Sequence, residues 1–440
     1  MEYIPATRQD IIKDVVEIVP ERIYWIAADI VQYAGYLRLS HNLQYIKPTT
    51  KYPVPKRDIL KQKRDRSTEG QDENQREPNM LPSKTRRVSS RARDPVVGSK
   101  PVSVVYTDKV FFYKPLANDF GPLDLATTFR YIHFVDGLSD GDNIIIHVTD
   151  HRRPYLCANS ACLIGIYAVI RFGLTGTAVR RRFSSLPTGS LPPFRDASRF
   201  PKNTFPLDVG DICESVSYAI EHKWINWNSF DVEETEFLQN IANGDLNWIV
   251  ENRFMAFAGP SSDCTDEDGL EVLPPSHYVE IFKKMRVSDV VRLNVANYEP
   301  QAFEAHGLRH HDLFFEDGSC PPKYIVENFF ARMGKTQGAV AVHCKAGLGR
   351  SVSMIGLAVM KEYKVPAKVF IAWARLARPG SVIGPQQHFL VEMEKVFKIG
   401  HSQIDKIDDK TLVGLNQVRL HGEAGQGGRL RKQKLKNETK

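Results

Sequence analysis

The sequence predicts an α/β protein built from two similar units, each with a central mixed sheet flanked by helices. The first observation is an apolar run at 338–342 that leads through a glycine-rich loop into a helical pattern from Ser351 to Tyr363. The second is an earlier stretch with the same order: an apolar strand from Ile144 to Val148, a polar loop, and an apolar helix from Cys157 to Phe172. Buried strands that alternate with helices are typical of α/β folds, and the repetition indicates an internal duplication.

Length and composition limit the class of protein. The chain has 440 residues, enough for two domains with extensions, and 42% of them are hydrophobic, which suits globular cores. The six cysteines are scattered without a Cys-x-x-Cys pair, so we expect a reducing compartment and neither a disulfide framework nor a zinc site. The net charge of +7 is modest. No stretch approaches the length of a membrane span, so we expect no stable membrane insertion.

We assign the first domain to residues 1–46 and 101–260. Residues 47–100 interrupt it with many charged residues, Gln, Ser and Pro and few large apolar side chains. Such a segment cannot bury enough surface to offset its ordering entropy, so we expect a disordered basic insertion. Two interpretations of its basic clusters stay open: a solvated linker, or a nuclear signal or kinase site at Ser89 or Ser90.

The remainder of the chain is divided by composition. Residues 261–275 are polar and are interpreted as the interdomain linker, and residues 276–400, which contain the strand, glycine-rich loop and helix noted above, as the second domain. Residues 401–440 turn polar and end in a basic run, which predicts a flexible basic tail. A solvated terminus and a segment that binds acidic partners or an import receptor are both compatible with this composition, whereas nucleic acid is not the partner that we expect.

The loop between Cys344 and Arg350 carries the expected chemistry. Backbone N–H groups of a glycine-rich loop at a helix N-terminus bind a phosphate-sized anion, and the same field stabilises a thiolate. Cys344 is therefore the candidate nucleophile, in line with the phosphorus. Arg350 can hold two phosphate oxygens, and Ser351 can donate a hydrogen bond to the thiolate. The candidate phosphate-binding loop is Lys345, Ala346, Gly347, Leu348 and Gly349.

Transfer of a phosphoryl group to the thiolate leaves a serine, threonine or tyrosine oxyanion. This leaving group needs a proton, so we expect a general acid on a neighbouring loop. Asp312 and Asp317 are both within reach in sequence. Asp312 precedes an apolar run that it could cap, whereas Asp317 precedes Gly318, where motion is easy. The reaction requires no metal and no metal-ligand cluster is visible, so we expect no cofactor.

The Cys-x5-Arg spacing resembles the active-site loop of the cysteine-dependent protein phosphatases. The fuller string His-Cys-Lys-Ala-Gly-Leu-Gly-Arg at 343–350 is similar to that of the Cdc14 family of dual-specificity phosphatases, and Leu-Pro-Pro-Phe-Arg-Asp-Ala-Ser at 191–198 is a further match. The resemblance implies two tandem dual-specificity-phosphatase-like domains, only the second catalytic. One departure is Ser351-Val352, where the family usually has Thr-Gly.

The resemblance also implies roles for individual residues. It places the general acid at Asp317, and it matches Gln386 and Gln387 to a pair of glutamines, one of which orients the attacking water. Acidic residues of the first domain line the family's substrate groove and select a basic residue after the phosphosite. The candidates are Glu233, Glu236 and Asp245, although a run of acidic residues is also typical of a solvated helix face.

By this resemblance, the chain is a protein phosphatase whose partners are phosphorylated proteins. It would hydrolyse phosphoserine and phosphothreonine at Ser-Pro sites of cyclin-dependent kinases, and phosphotyrosine, through a phosphocysteine. The family implies a role in regulating the cell cycle, cytokinesis or cilia. It also implies a location in the nucleus and cytoplasm, with the nucleolus, spindle, centrosome and cilium as more specific sites. One alternative is a phosphoinositide phosphatase. The apolar Leu348 argues against it, because a second cation at that position would help to bind the extra phosphates. The other alternative is a pseudophosphatase scaffold, which only Val352 favours.

Overall fold

The computed structural model describes residues 12–30, 43–46, 102–138, 143–199, 202–266, 268–399 and 425–438. The predicted insertion at 47–100 lies outside these residues. Within them, the structure contains two five-stranded mixed sheets flanked by helices, which confirms the expected α/β architecture of two units.

The first sheet has the strand order β1-β2-β5-β4-β3. Strand β1 pairs antiparallel with β2, and the other neighbours are parallel. The strands are β1 (Ile12–Val19), β2 (Ile23–Ala28), β3 (Leu43–Ile46), β4 (Val102–Tyr106) and β5 (Ile144–Asp150). The helices of this unit are α1 (Leu125–Leu138), α2 (Pro154–Phe172), α3 (Gly176–Phe183), α4 (Val209–Glu221) and α5 (Val232–Gln239), followed by a 3₁₀ turn at Ile241–Asn243.

The second sheet has the order β6-β7-β10-β8-β9. Its strands are β6 (Leu246–Val250), β7 (Phe254–Ala258), β8 (Val287–Arg292), β9 (Arg309–Asp312) and β10 (Ala339–Cys344). The helices are α6 (Pro275–Lys284), α7 (Gln301–Glu304), α8 (Lys323–Met333), α9 (Arg350–Tyr363), α10 (Ala367–Ala377), α11 (Pro385–Ile399) and α12 (Gln426–Glu438). Every residue of β10 is buried because it has a parallel strand on each side, which explains its continuous apolar sequence.

The two sheets repeat one topology. In each, an antiparallel edge pair precedes a central strand that is parallel to both neighbours and leads directly into a helix. Ala28 pairs with Asp150 in the first sheet as Ala258 pairs with Cys344 in the second, so Asp150 stands at the position of the candidate nucleophile. Only residues 151–153 separate Asp150 from α2, a loop too short to surround a phosphate.

The two units share a continuous apolar core. Helix α4 of the first packs against α10 of the second. The rings of Trp224 and Trp373 lie 5.6 Å apart across this contact, and the Trp373 indole N–H donates to the Ile249 carbonyl at 2.7 Å. These groups are fully buried, so the contact fixes the two units relative to each other on either side of a cleft.

The structure differs from the predicted domain boundaries. Strands β6 and β7 fall inside the assigned first domain, yet β7 pairs directly with β10, so residues 246–258 belong to the catalytic sheet. The expected linker at 261–275 is a folded loop of the same unit, closed by a bridge between Thr265 and Glu271. Strand pairing between residues about 85 positions apart decides this boundary, and composition does not report it.

One helix does approach the length of a membrane span, contrary to the expectation from the sequence. Within the described residues, α2 has 19 residues and is apolar enough to cross a membrane by length and composition, and 72% of its most apolar window is buried inside the structure. Ala158, Ala161 and Ile164 are among its buried side chains in the core of the first unit. This burial accounts for the apolar composition of the helix.

The expected flexible basic tail also needs correction over part of its length. Residues 401–424 and 439–440 lie outside the described residues, but residues 426–438 form helix α12, which packs in the cleft between the units. The basic residues that suggested a solvated terminus are in part ion-paired and buried there, as described below.

Candidate active site

The candidate site lies at the carboxyl end of β10. Cys344 is the last residue of this strand and Arg350 is the first residue of α9, and both are 3% exposed. The strand is held on both sides by β7 and β8, which fixes the position of the cysteine below the helix N-terminus. The predicted strand–loop–helix arrangement is therefore present at the predicted residues.

Arg378 shapes the phosphate-binding loop from outside. Its guanidinium donates to the Gly347 carbonyl at 2.8 Å and to the Ala346 carbonyl at 3.1 Å, and the Gly259 N–H donates to the Lys345 carbonyl at 3.1 Å. With the carbonyls held outward, the loop's N–H groups are left for an anion on the inner side. Gly347 has a φ of +68°, and a β-carbon there would overlap the Phe257 carbonyl, so glycine is required.

We expect Arg378→Lys to lower kcat/KM about 100-fold and to weaken the binding of inorganic phosphate, because lysine keeps a cation near Asp245 but cannot hold both loop carbonyls. Steady-state kinetics with an aryl phosphate and phosphate inhibition would measure this. Arg253→Lys, a partly exposed arginine paired with Glu362, is the control. Unchanged phosphate affinity in Arg378→Lys would show that the loop holds its shape without the double contact.

Two buried donors at the loop have no hydrogen-bond partner among the described residues. They are Nε of Arg350 and Oγ of Ser351. The remaining nitrogens of Arg350 are held: one donates to the Leu293 and Phe315 carbonyls at 3.2 and 2.9 Å, and the other lies 3.0 Å from Asp317 Oδ1. Buried donors without partners are costly, and an oxyanion at the loop would satisfy them.

The structure separates the two candidate acids. Asp312, at the end of β9, accepts hydrogen bonds from the buried Arg292 and so supports the sheet. Asp317 lies beside Arg350, and its side chain is 23% exposed. Only the second of these carboxylates reaches the phosphate-binding loop. The role of general acid that the resemblance assigns to Asp317 stays a prediction.

The two glutamines are also placed differently. A β-carbon on Gly349 would lie 2.9 Å from Gln386 Oε1, so Gln386 adjoins the loop. Its amide donates to the Ser319 carbonyl at 3.1 Å, on the segment that carries Asp317. Gln387 points away and accepts from Arg375. Gln386 is therefore the glutamine that is close to the reaction centre.

His343 supports the loop as a neutral residue. Burial lowers the pKa of its imidazole well below the usual range. Its Nε2 lies 2.6 Å from the Tyr298 hydroxyl and its Nδ1 3.3 Å from the Cys344 carbonyl. An uncharged ring in this position packs against Phe257 without placing a second cation under the anion site.

A cavity of 910 Å³ opens beside the loop, and we call it the catalytic cavity. It is lined by Asp317, Lys345 and Arg350 from the catalytic unit, by Leu116 and Ala117 from the first unit, and by one face of α12. The ammonium group of Lys345, the first residue of the loop, is ion-paired with Asp268 at 2.6 Å. The buried Leu348 belongs to an apolar cluster that also contains Leu116, Ile383 and Leu430.

Helix α12 contributes site residues that the sequence analysis missed. The Gly427 N–H donates to Asp317 Oδ2 at 2.7 Å. Gln426 is 3% exposed, and its Oε1 would lie 2.8 Å from a β-carbon on Gly349, beside Gln386. A β-carbon on Gly428 would lie 1.9 Å from Asp268 Oδ2, so the Asp268 side chain would have to move to admit it. The pair Gly427-Gly428 was the one signal of a close backbone approach.

The three proposed groove residues do not meet at the catalytic cavity. Asp245 is buried between Arg378 at 2.9 Å and Lys434 at 2.6 Å. Glu236 pairs with Arg130, and Glu233 lines a separate cavity of 380 Å³ with Arg130. Their role in selecting a basic substrate residue stays a prediction, and two of the three are already paired with cations of the chain.

The part of the chain that the structure describes contains no group of three or more His, Cys, Asp or Glu side chains that could hold a metal ion. The chemistry of the site can be derived from the thiol, the guanidinium, the carboxylate and the loop amides. Val352, the departure from the family pattern, is fully buried in the apolar core at the start of α9.

Comparisons with known proteins agree with this geometry. Residues 88–219 match the family model for the N-terminal half of dual specificity protein phosphatases. The chain is 41% identical over 307 residues to dual specificity protein phosphatase CDC14AB of Danio rerio, which covers 67% of the chain and 50% of that protein. It is 39% identical over 317 residues to CDC14C of Homo sapiens, covering 69% of each.

A more distant relative is tyrosine-protein phosphatase cdc-14 of Caenorhabditis elegans, with 35% identity over 304 residues, 67% of the chain and 43% of that protein. The chain thus spans about half the length of several curated relatives that it matches.

Proposed function

Because the chain belongs to the Cdc14 family of dual-specificity protein phosphatases, we propose that it hydrolyses phosphoserine and phosphothreonine, at sites followed by proline, and also phosphotyrosine. The observation that carries this proposal is the pair of buried donors without partners, on Arg350 and Ser351, next to Cys344 and opposite Asp317. The substrates are then phosphorylated proteins, among them those of proline-directed cyclin-dependent kinases.

The first step transfers the phosphoryl group to the protein. The Cys344 thiolate attacks phosphorus, the bond between phosphorus and the substrate oxygen breaks, and Asp317 gives its proton to the departing oxygen. The loop amides and Arg350 stabilise the equatorial oxygens as charge spreads over them in the transition state. The products are the dephosphorylated side chain and a phosphocysteine.

The second step returns the thiolate. A water molecule attacks the phosphocysteine, Asp317 now accepts its proton, and the sulfur–phosphorus bond breaks to release inorganic phosphate. Of the two glutamines that the resemblance names, we assign the orientation of that water to Gln386, because it adjoins Gly349 whereas Gln387 is hydrogen-bonded to Arg375. Ser351 supports the departing sulfur by donating a hydrogen bond. Water is the only co-reactant, and the proton that Asp317 gives up in the first step is returned to it in the second.

Phosphate release from matched phosphoserine-Pro and phosphoserine-Ala peptides tests the proposed function. Turnover that favours the proline peptide is expected, with a phosphotyrosine peptide cleaved less selectively. Acid quenching during turnover should trap the phosphoryl group on Cys344, which mass spectrometry of peptides would locate. Binding of the peptides without any turnover would instead favour a phosphoprotein-binding scaffold.

We expect Asp317→Asn to lower kcat about 100-fold on phosphoserine peptides, because the poor alkoxide leaving group then departs without a proton. The loss should be several-fold smaller with an aryl phosphate, whose leaving group is a weaker base. Comparing the two substrates by single-turnover kinetics measures the difference. Asp312→Asn should weaken folding by releasing the buried Arg292 without producing this dependence on the leaving group. Equal losses on both substrates would exclude Asp317 as the acid.

A further inference from the structure

We propose that His310, on the edge strand β9, is a positioning residue of the reaction that acts through Tyr298 on the peptide of the nucleophile. With His343 these two side chains form a buried hydrogen-bonded chain that runs from β9 to the carbonyl of Cys344. The inference rests on the proposed phosphatase function and deepens it. It extends the group of residues that act on the thiolate to the edge of the catalytic sheet.

Two hydrogen bonds connect the three side chains. The Tyr298 hydroxyl lies 2.6 Å from Nε2 of His343 and 3.0 Å from Nε2 of His310. The inner end of the chain is Nδ1 of His343, 3.3 Å from the Cys344 carbonyl. Tyr298 is 4% exposed, His343 is fully buried and the side chain of His310 is 1% exposed. Water therefore does not compete for these contacts, and each of them constrains the next.

The Cys344 carbonyl fixes the direction of every proton in the chain. A carbonyl can only accept, so Nδ1 of His343 carries a proton. Burial lowers the pKa of this imidazole well below its usual range, so the ring is neutral and its Nε2 is an acceptor. Burial raises the pKa of Tyr298 well above its usual range, so its hydroxyl keeps its proton and donates it to His343. The tyrosine oxygen is then left to accept from Nε2–H of His310.

The surroundings of His310 agree with this direction. Burial lowers the pKa of its imidazole to about 4, so the ring is neutral near pH 7 and one of its nitrogens has no proton. Nδ1 lies 3.8 Å from Asp312 Oδ2, which is too far for a hydrogen bond. That carboxylate accepts from Arg292 instead, whose guanidinium also lies over the Tyr298 ring and donates to the Tyr298 carbonyl.

Packing separates His310 from its neighbour His311. The His310 ring stacks on Phe303 with 7° between the planes, and it meets the Tyr298 ring edge to face at 5.5 Å. The ring of His311 pairs with the buried Asp289 at 2.7 Å. Consecutive residues of a strand point to opposite faces, so only the first of these two histidines can reach the chain. The second is therefore a control on the same strand.

The chain acts on the reaction through one peptide group. Cys344 ends β10, and its carbonyl shares a planar trans peptide with the N–H of Lys345, the first residue of the phosphate-binding loop. The two groups point in opposite directions, so a hydrogen bond from His343 to the carbonyl also sets the direction of that N–H. Without a fixed tautomer, His343 can turn its proton toward Tyr298 and leave the carbonyl unbound. We expect slower phosphoryl transfer to sulfur with substrate binding retained, because Arg350 and the other loop amides remain.

A double-mutant cycle tests this inference. Tyr298→Phe should lower kcat on a phosphoserine-Pro peptide about 30-fold, with KM within about twofold of the wild type. His310→Phe keeps the aromatic packing but cannot donate, and should lower kcat about fivefold. His310→Gln, whose amide can donate to the hydroxyl, should restore most of this loss. The double variant Tyr298→Phe/His310→Phe should be no slower than Tyr298→Phe alone, because His310 acts only through the hydroxyl.

The control is His311→Gln, which alters the contact with Asp289 on the same strand and should leave kcat unchanged. Thermal unfolding of every variant separates loss of rate from loss of fold. Two results would overturn the proposal: losses that multiply in the double variant, and a His310→Phe variant that melts at a lower temperature but keeps the wild-type kcat. Either would reduce His310 to a structural residue of the sheet edge.

A measurement without substrate separates this inference from the proposed function. Absence of turnover in the wild type would refute the phosphatase function but leave the chain testable. Long-range ¹H–¹⁵N spectra of the histidine-labelled protein near pH 7 report the tautomer of each ring. We expect His343 to be protonated at Nδ1 and His310 at Nε2, with the His343 signals changed in His310→Phe and restored in His310→Gln. The opposite tautomer at His343, or signals that do not respond to His310, would refute the chain.

Discussion

Replacing Cys344 by serine is expected to abolish phosphate release, with kcat lowered by at least about 10⁴-fold. A serine hydroxyl remains protonated near neutral pH and is a far weaker nucleophile, so the phosphocysteine cannot form. The surrounding loop should keep its shape, because Arg378 and Gly259 hold it through carbonyl contacts that do not involve the sulfur. Turnover of a phosphoserine-Pro peptide and of an aryl phosphate measures the effect.

Peptide affinity and thermal unfolding distinguish this loss from misfolding. The Cys344→Ser variant should bind the phosphopeptide with an affinity close to that of the wild type, since the donors of the loop remain. Cys264→Ser, which changes an exposed cysteine outside the catalytic cavity, is the matched control and should keep full activity. Residual turnover within tenfold of the wild type would mean that another group attacks the phosphorus.

Arg350→Lys is expected to lower kcat/KM about 10³-fold although it keeps the positive charge. The guanidinium holds the Leu293 and Phe315 carbonyls and Asp317 while its Nε stays available for a phosphate oxygen. An ammonium group cannot make this set of contacts from one position. Part of the loss should therefore appear as weaker inhibition by inorganic phosphate, and part as slower formation of the phosphocysteine.

The comparison for this variant is Arg332→Lys, which alters an exposed arginine on α8 and should be silent. Rapid-quench measurement of the first turnover would report the chemical step, and phosphate inhibition would report ground-state binding. If Arg350→Lys kept both the rate of the first turnover and the affinity for inorganic phosphate, positive charge alone, without the planar guanidinium, would be sufficient at this position.

The sequence by itself determined the features that are encoded by neighbouring residues. The buried run before Cys344, the five mostly small residues after it and the helical pattern from Ser351 define the strand, loop and helix without reference to the rest of the chain. The echo around Ile144–Asp150 predicted a second sheet of the same topology, and the structure confirms it. Local pattern is sufficient here because each element is formed by a continuous segment.

The resemblance assigned the general acid to Asp317, but only the tertiary structure showed which member of each pair of similar residues lies next to the candidate loop. Asp317 and Asp312 differ in their partners, and so do Gln386 and Gln387, although each pair has similar positions in sequence. The entry of residues 246–258 into the catalytic sheet depends on pairing with β10, about 85 residues later.

The same reason explains why α12 was missed. Gly427 and Asp317 are 110 residues apart in sequence, and the composition of the tail is typical of a solvated terminus. Its burial depends on carboxylates that lie far away along the chain: Asp245, Asp266 and Asp317. Charge pattern alone cannot show whether a lysine faces water or an aspartate of another segment, because that depends on packing between distant parts of the chain.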